Sequence, residues 1–276
     1  MALFITSLNS GSNGNCYYAG NEQEAVLIDA GISCRETELR MSKLGLSLSR
    51  VKALFISHEH TDHTRGAEKL SNKYHIPVYI KPGAHRHSGI HIRSEWAFTF
   101  NLHEKIRVGN LQVTPFNKRH DAADPVSFVV EHQGIKAGVI TDIGRACKTV
   151  IHYFKQCHAC FLESNYDEKM LHEGWYPLQL RKRISGGRGH LSNTQALELF
   201  MKYKPRYMSH LLLSHLSENN NRPDIVEQLF AKYAGAVKII IAPRYEETAV
   251  YKVTSEATRE IIPLPVRKEV VQLSLF

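Results

Sequence analysis

The chain has 276 residues, of which 43% are hydrophobic and 22% charged, with a formal net charge of +8. That composition supports a substantial core and excludes a disordered chain, and five cysteines without dense spacing exclude a disulfide-stapled scaffold. No stretch approaches the roughly 18 consecutive apolar residues of a membrane span, and the basic balance favours polyanionic partners such as nucleic acid.

Residues 2–6, 16–19 and 25–29 read as short strands, with strong turn chemistry in residues 10–15, SGSNGN. The first fifteen residues carry neither a basic n-region nor a long apolar run, so a reducing cytoplasm is expected. Residues 34–44 predict a helix. Ala53-Leu54-Phe55-Ile56 is a continuous apolar run that suits a strand buried on both faces. It stops at Ser57-His58, and a helix is expected to begin near His63. Further strands are predicted over 78–80, 111–116, 126–131 and 137–140. Helices over 145–155, 193–203 and 223–233 alternate with strands near 207–213 and 237–241. Cys157 and Cys160 form a lone CxxC with apolar neighbours, which favours buried free thiols over a zinc site. Trp96 and Trp175 are expected in the core. No repeat or Pro/Gly/Ser linker divides the chain, so one α/β domain is expected over 1–266, followed by a tail over 267–276.

The most informative stretch is His58-Glu59-His60-Thr61-Asp62-His63, which packs three imidazoles and two carboxylates into six residues directly after a buried strand. A strand end is where an α/β protein places its site. His58 and His60 share a side of an extended backbone, and Asp62 and His63 follow where the chain turns into a helix. Neutral imidazoles and carboxylates suit Zn²⁺, Mn²⁺ or Fe²⁺, and the spacing can serve two adjacent metals. His85, His87 and His91 are poor candidates by comparison, with no carboxylate near until Glu95.

This stretch resembles the HxHxDH signature of the metallo-β-lactamase superfamily. Asp29, in Leu27-Ile28-Asp29-Ala30-Gly31, looks like the superfamily's supporting aspartate, which binds no metal. His120, Asp142 and His215, each after an apolar run, match its later motifs. The resemblance implies an αββα four-layer sandwich of two mixed sheets flanked by helices. It implies that His58, His60 and His120 hold one metal, that Asp62, His63 and His215 hold a second, and that Asp142 bridges them. The true β-lactamases use cysteine where this chain has Asp142, which argues for a dinuclear hydrolase instead.

Paired divalent metals lower the pKa of a shared water toward 7 and neutralise phosphoryl charge, so a bridging hydroxide is the expected nucleophile. Ser10-Gly11-Ser12 with Gly14-Asn15, Glu163-Ser164-Asn165, residues 189–193 (GHLSN) and His215-Leu216-Ser217 further resemble the YycJ/WalJ group of this superfamily. That resemblance implies a 5′→3′ DNA exonuclease connected with mismatch repair. Asp62 and His190 are the expected catalytic residues, with His190 protonating the leaving 3′ oxygen or holding the scissile phosphate; the alternative is that His190 only ties down the basic loop. Residues 181–190, RKRISGGRGH, read as a basic loop whose Arg181, Arg183 and Arg188 either meet phosphates or form an ordinary solvated surface. Ser12 and Asn15 are expected either to contact substrate or to shape the metal loop. Glu163 and Asp121 are expected to support ligand histidines. A small-molecule hydrolase acting on a cyclic phosphodiester, lactone or thioester, or an RNA-processing nuclease, are the alternatives.

The chain ends Gln272-Leu273-Ser274-Leu275-Phe276. This resembles the short bacterial motif that docks on the DNA polymerase sliding clamp, with Gln272 making polar contacts and Leu273, Leu275 and Phe276 filling apolar pockets. The alternative is a final strand packed at a sheet edge.

Overall fold

The computed structural model describes residues 2–255, so the clamp-like tail at 272–276 lies outside the described residues. Two seven-stranded sheets form the centre of the molecule. The first contains β1 (Leu3–Asn9), β2 (Cys16–Gly20), β3 (Ala25–Ile28), β4 (Val51–Phe55), β5 (Val78–Tyr79) and β6 (Ala97–Phe98). The second runs through β7 (Ile106–Val108), β8 (Leu111–Asn117), β9 (Val126–His132), β10 (Ile135–Ile140), β11 (Ala159–Glu163), β12 (His210–Ser214) and β13 (Lys238–Ile241). The late strand β14 (Tyr251–Val253) returns to pair antiparallel with β1 and completes the first sheet. Each sheet is mixed: β1–β3 and β7–β10 pair antiparallel, whereas β3–β6 and β10–β13 pair parallel.

The apolar runs explain the layering. Along a strand, side chains alternate between faces, and here both faces are covered. In β4, Ala53 and Phe55 join the core between the sheets, while Leu54 packs outward. In β11, Ala159 and Phe161 point inward, while Cys160 and Leu162 point outward. Helices α1 (Cys34–Lys43), α3 (Ala67–Tyr74) and α4 (Pro82–Ser88) cover the first sheet through Met41, Leu70 and Ala84. Between α1 and α3 lies the short α2 (Thr61–Thr64). Helices α5 (Lys148–Phe154), α8 (Asn193–Tyr203) and α9 (Pro223–Ala231) cover the second sheet through Phe154, Phe200 and Phe230. The result is the expected αββα sandwich. Ser192 caps α8 with a capping box to Gln195, which fixes where the chain enters that helix. Cys157 and Cys160 are free, fully buried thiols in the outer core of the second sheet.

Helices α4 and α7 (Leu178–Ser185) are absent from the sequence expectations, whereas α6 (Glu168–Glu173) is the helix expected after Glu163-Ser164-Asn165. The correction matters most at α7, which turns Arg181, Lys182 and Arg183 of the expected basic loop into a helical turn. Pro177 sits at its N-cap, good helix formers follow, and basic residues occupy its last turn, where they face the negative end of the helix dipole. The glycines that suggested a loop begin only at Gly186.

Phe128 of β9 ties the two sheets together. Its ring meets Phe55 of the first sheet edge-on at 5.6 Å between centroids and Phe100 at 5.8 Å. Replacing it with alanine removes a fully buried ring from the layer interface. Phe128→Ala should lower unfolding free energy by about 3–5 kcal/mol, seen as a reduced midpoint in chemical denaturation at unchanged slope.

Candidate metal centre

Strands of both sheets deliver polar residues to one edge. Asp29 directly follows β3, Asp142 follows β10, Glu163 ends β11 and His215 follows β12. His58 and His120 lie shortly beyond β4 and β8, and His60, Asp62 and His63 come from the turn into α2. Asp29, Asp142 and His215 adopt left-handed backbone conformations, with φ of 62°, 53° and 58°. Asp and His tolerate this region better than most residues, and the abrupt turn aims each side chain off its strand into the shared edge.

The ligand atoms of His58, His60 and His120 lie within 4.8 Å of one another, as do those of Asp62, His63 and His215. Asp142 stands between the two sets. Its Oδ2 is 3.3 Å from His63 Nε2, and its Oδ1 is 3.6 Å from His215 Nε2 and 3.8 Å from His120 Nε2. Buried His120 Nε2, His215 Nε2 and Asp142 Oδ2 have no hydrogen-bond partner of good geometry among the described residues. Leaving such atoms unpaired costs about 1–3 kcal/mol each, and a pair of divalent cations would satisfy all three. The seven side chains therefore fit the metals their chemistry suits.

A second tier of contacts sets the tautomers. His63 Nδ1 donates to Asp29 Oδ2 at 2.7 Å. Ser57 gives its hydroxyl proton to Asp29 Oδ2 at 2.9 Å, so its oxygen, 2.8 Å from His58 Nδ1, accepts from that ring. His120 Nδ1 donates to the Gly189 carbonyl at 3.1 Å, and His215 Nδ1 to Glu163 Oε1 at 3.2 Å. All four rings thereby keep Nε2 for the site. His60 is the exception and presents Nδ1, 3.1 Å from His58 Nε2. Asn165 donates to the His215 carbonyl at 2.8 Å, and Ser10 accepts from the His215 amide at 2.7 Å.

Electrostatics follow from this crowding. Burial opposes charge on His63, yet the carboxylates of Asp29, Asp142 and Asp62 outweigh it and push its pKa up. Burial likewise opposes charge on His215, but Asp142, Asp62 and Glu163 push it up to about 10. Burial would raise the Asp142 carboxyl, but His215, His63 and Lys118 hold it well below the usual range. For His58 and His120 burial dominates and lowers the pKa.

Residues 24–215 match the family described as a beta-lactamase superfamily domain. The chain belongs to the metallo-β-lactamase superfamily. Within it, the chain is 32% identical to the exodeoxyribonuclease YycJ of Bacillus anthracis, over 82% of this chain and 86% of that protein. It is 26% identical to the exodeoxyribonuclease WalJ of Streptococcus pneumoniae, over 78% of this chain and 81% of that one. Among solved structures, the metallo-β-lactamase fold protein YhfI of Bacillus subtilis superposes with a TM-score of 0.70 at 13% identity, covering 91% of this chain and all of that one. That last likeness shows the fold alone.

The superfamily edge holds two adjoining cavities. One, of about 200 Å³, is lined by Ser12, Asp62, Asp142, His190 and other site residues. His190 Nδ1 is 2.8 Å from Glu163 Oε1, while its Nε2 has no hydrogen bond among the described residues. Glu163 also accepts from the amides of Ile143 and Leu191, at 2.8 and 3.1 Å, so it anchors two histidines and two loops. The second cavity, of about 410 Å³, is lined by Arg119, Arg145, Lys182, Arg183 and Arg188 around the single carboxylate of Asp121. Asp121 and Arg183 line both cavities and pair at 2.5 Å.

Several expectations change on inspection. Arg181 lines neither cavity; its guanidinium turns to the carbonyl of His172. Asn15 is fully buried and committed to Gly11, Asp62 and His63, so it shapes the metal loop and does not face substrate. His120 Nδ1 has Gly189 as its partner, while Asp121 pairs with Arg183 through Oδ2 and stands 3.3 Å from His120 Nε2 through Oδ1. Trp175 is 78% exposed, not in the core. Sequence reading missed the roles of Ser57 and of buried Lys118, whose Nζ donates to the Thr141 carbonyl at 2.9 Å beside Asp142. The available signal was a polar residue directly beyond an apolar run.

Imidazoles that bind a cation must be neutral, and the surrounding carboxylates push His63 and His215 toward the protonated form, so cation binding at these rings would compete with protons. Affinity should rise with pH. Adding Zn²⁺ to the chelated protein near pH 7.5 should release about two protons, measurable by titration calorimetry in buffers of different ionisation enthalpy.

Proposed function

We propose that this chain is a metal-dependent exodeoxyribonuclease that degrades DNA in the 5′→3′ direction and serves mismatch repair or replication in the cytoplasm. The observation that carries the reading is the cation-lined cavity that shares Asp121 and Arg183 with the metal centre. A polyanion needs such a surface next to the reacting bond, whereas a neutral lactone or thioester does not. The names of the YycJ and WalJ relatives agree with it.

Two divalent cations, Zn²⁺ or Mn²⁺ by the donor set, would supply a more acidic water and neutralise phosphoryl charge. His58, His60 and His120 would hold one and Asp62, His63 and His215 the other, with Asp142 reaching both. The protein's own groups do the rest. Glu163 holds His190 by Nδ1, which leaves Nε2 at the cavity to pass a proton to the departing 3′ oxygen. Arg183 and Arg188 present charge to the phosphates of the strand, and Ser12 adds an exposed hydroxyl at the rim. In this reading residues 1–266 act as one domain, and the tail at Gln272, Leu273, Leu275 and Phe276 tethers the enzyme to the sliding clamp.

Metal-loaded protein should shorten end-labelled DNA from its 5′ end faster than matched RNA, and Asp62→Ala should be inactive though folded. His190→Gln should lower kcat by about 10²–10⁴-fold with KM little changed. Two bound metals with no cleavage of any nucleic acid would overturn the reading. Deleting residues 272–276 should abolish binding to immobilised sliding clamp and leave cleavage of free DNA unchanged; an unfolded deletion would instead mark the tail as a packed strand.

A further inference from the structure

Helix α7 carries three surfaces at once. Leu180, Arg183 and Ile184 line the metal cavity. Lys182 and Arg183, with Gly186, Gly187 and Arg188 just beyond, line the basic cavity. Trp175, 78% exposed, stands shortly before its first turn, which opens on Leu178, 60% exposed. No residue of α7 is buried, so packing on the core does not explain this composition.

The placement is nonetheless fixed. His190 N bonds to the Ile184 carbonyl and Gly189 N to the Gly186 carbonyl, both at 2.8 Å. Gly189 then holds His120, so the helix end is tied to the metal centre. At the other end, Tyr176 accepts from Asn219 at 3.0 Å and meets Trp175 edge-on, with centroids 4.7 Å apart. Such a contact orients the indole without covering it. Arg119, Arg145, Lys182 and Arg188 form no ion pair among the described residues, whereas Arg183 has Asp121. Four cations without ion-pair partners gather around the last turn of a helix about 12 Å long and an open indole precedes its first, and Leu180, Arg183 and Ile184 of the same helix line the metal cavity.

We infer that residues 174–188 guide a single strand of DNA into the metal centre, its phosphates crossing the basic cavity and an unpaired base stacking on Trp175. Stacking needs a free base face, which an intact duplex withholds. The guide therefore takes single-stranded or frayed ends. The cations read charge and the indole reads the base, and their separation places these contacts on different nucleotides. This inference rests on the nuclease reading above.

The chain has two tryptophans, so Trp96→Phe leaves Trp175 as the reporter. The probe is a hydrolysis-resistant phosphorothioate oligothymidylate added to the metal-loaded protein. Saturable quenching of Trp175 fluorescence is expected with this probe and not with a blunt duplex. Inorganic polyphosphate should displace the oligomer without quenching. Trp175→Ala should weaken oligomer binding and raise KM by about tenfold, and Trp175→Phe should restore most of it. Arg145→Gln and Arg188→Gln should each reduce the slope of log K against log salt by about 1. Normal DNA cleavage with no quenching, or with unchanged KM in Trp175→Ala, overturns the guide and leaves the nuclease standing. Neither binding nor cleavage of any nucleic acid overturns both.

Discussion

The carboxylates of Asp29, Asp142 and Glu163 lie out of bulk water, and the rest of this edge is arranged around compensating them. An ion removed from water costs several kcal/mol unless its oxygens find donors. Asp29 receives the amide and hydroxyl of Ser57 and the ring of His63. Glu163 receives two backbone amides and the rings of His190 and His215. These outer carboxylates are satisfied by protein alone, one in each sheet. The central one, Asp142, keeps an oxygen without a good hydrogen bond and faces imidazoles from both sets. In the proposed metal centre, the difference separates residues that position ligand side chains from a residue that would itself meet the metals.

This compensation works only because the backbone is held in place. Asp29, Asp142 and His215 sit in left-handed conformations that cost of order 1–3 kcal/mol each. The hydrogen-bonded strands that end at these residues, and the core between the sheets, supply the restraint. Gly31 adds a second constraint on the same loop: a Cβ there would lie 1.7 Å from the Asp62 carbonyl oxygen. Only glycine lets the segment after β3 approach the metal-binding turn so closely.

The side where the proposed DNA strand would lie follows a different logic. Where the metal edge is buried, α7 has no buried residue, and most of the cations around the basic cavity lack ion-pair partners among the described residues. A helix with no buried residue is held by its ends, through the Gly186–His190 segment and through Tyr176. Charge left unpaired on such a surface is available to an incoming polyanion, because exposed cations remain hydrated and pay little for their freedom.

Much of this protein is legible in its sequence. The strands that end near the proposed ligands carry apolar runs, and a run followed by His or Asp signals a side chain leaving a packed sheet. Residues 58–63 state most of the metal chemistry locally, and the layer order follows from strands apolar on both faces with helices between them. The tertiary structure decided what depends on neighbours distant in the chain. It placed Glu163 under both His190 and His215, turned Asn15 inward, sent Arg181 to the His172 carbonyl and exposed Trp175. The physical reason is that apolar periodicity is a local property of the chain, whereas the burial of a single polar or aromatic side chain is set by whatever the rest of the fold brings against it.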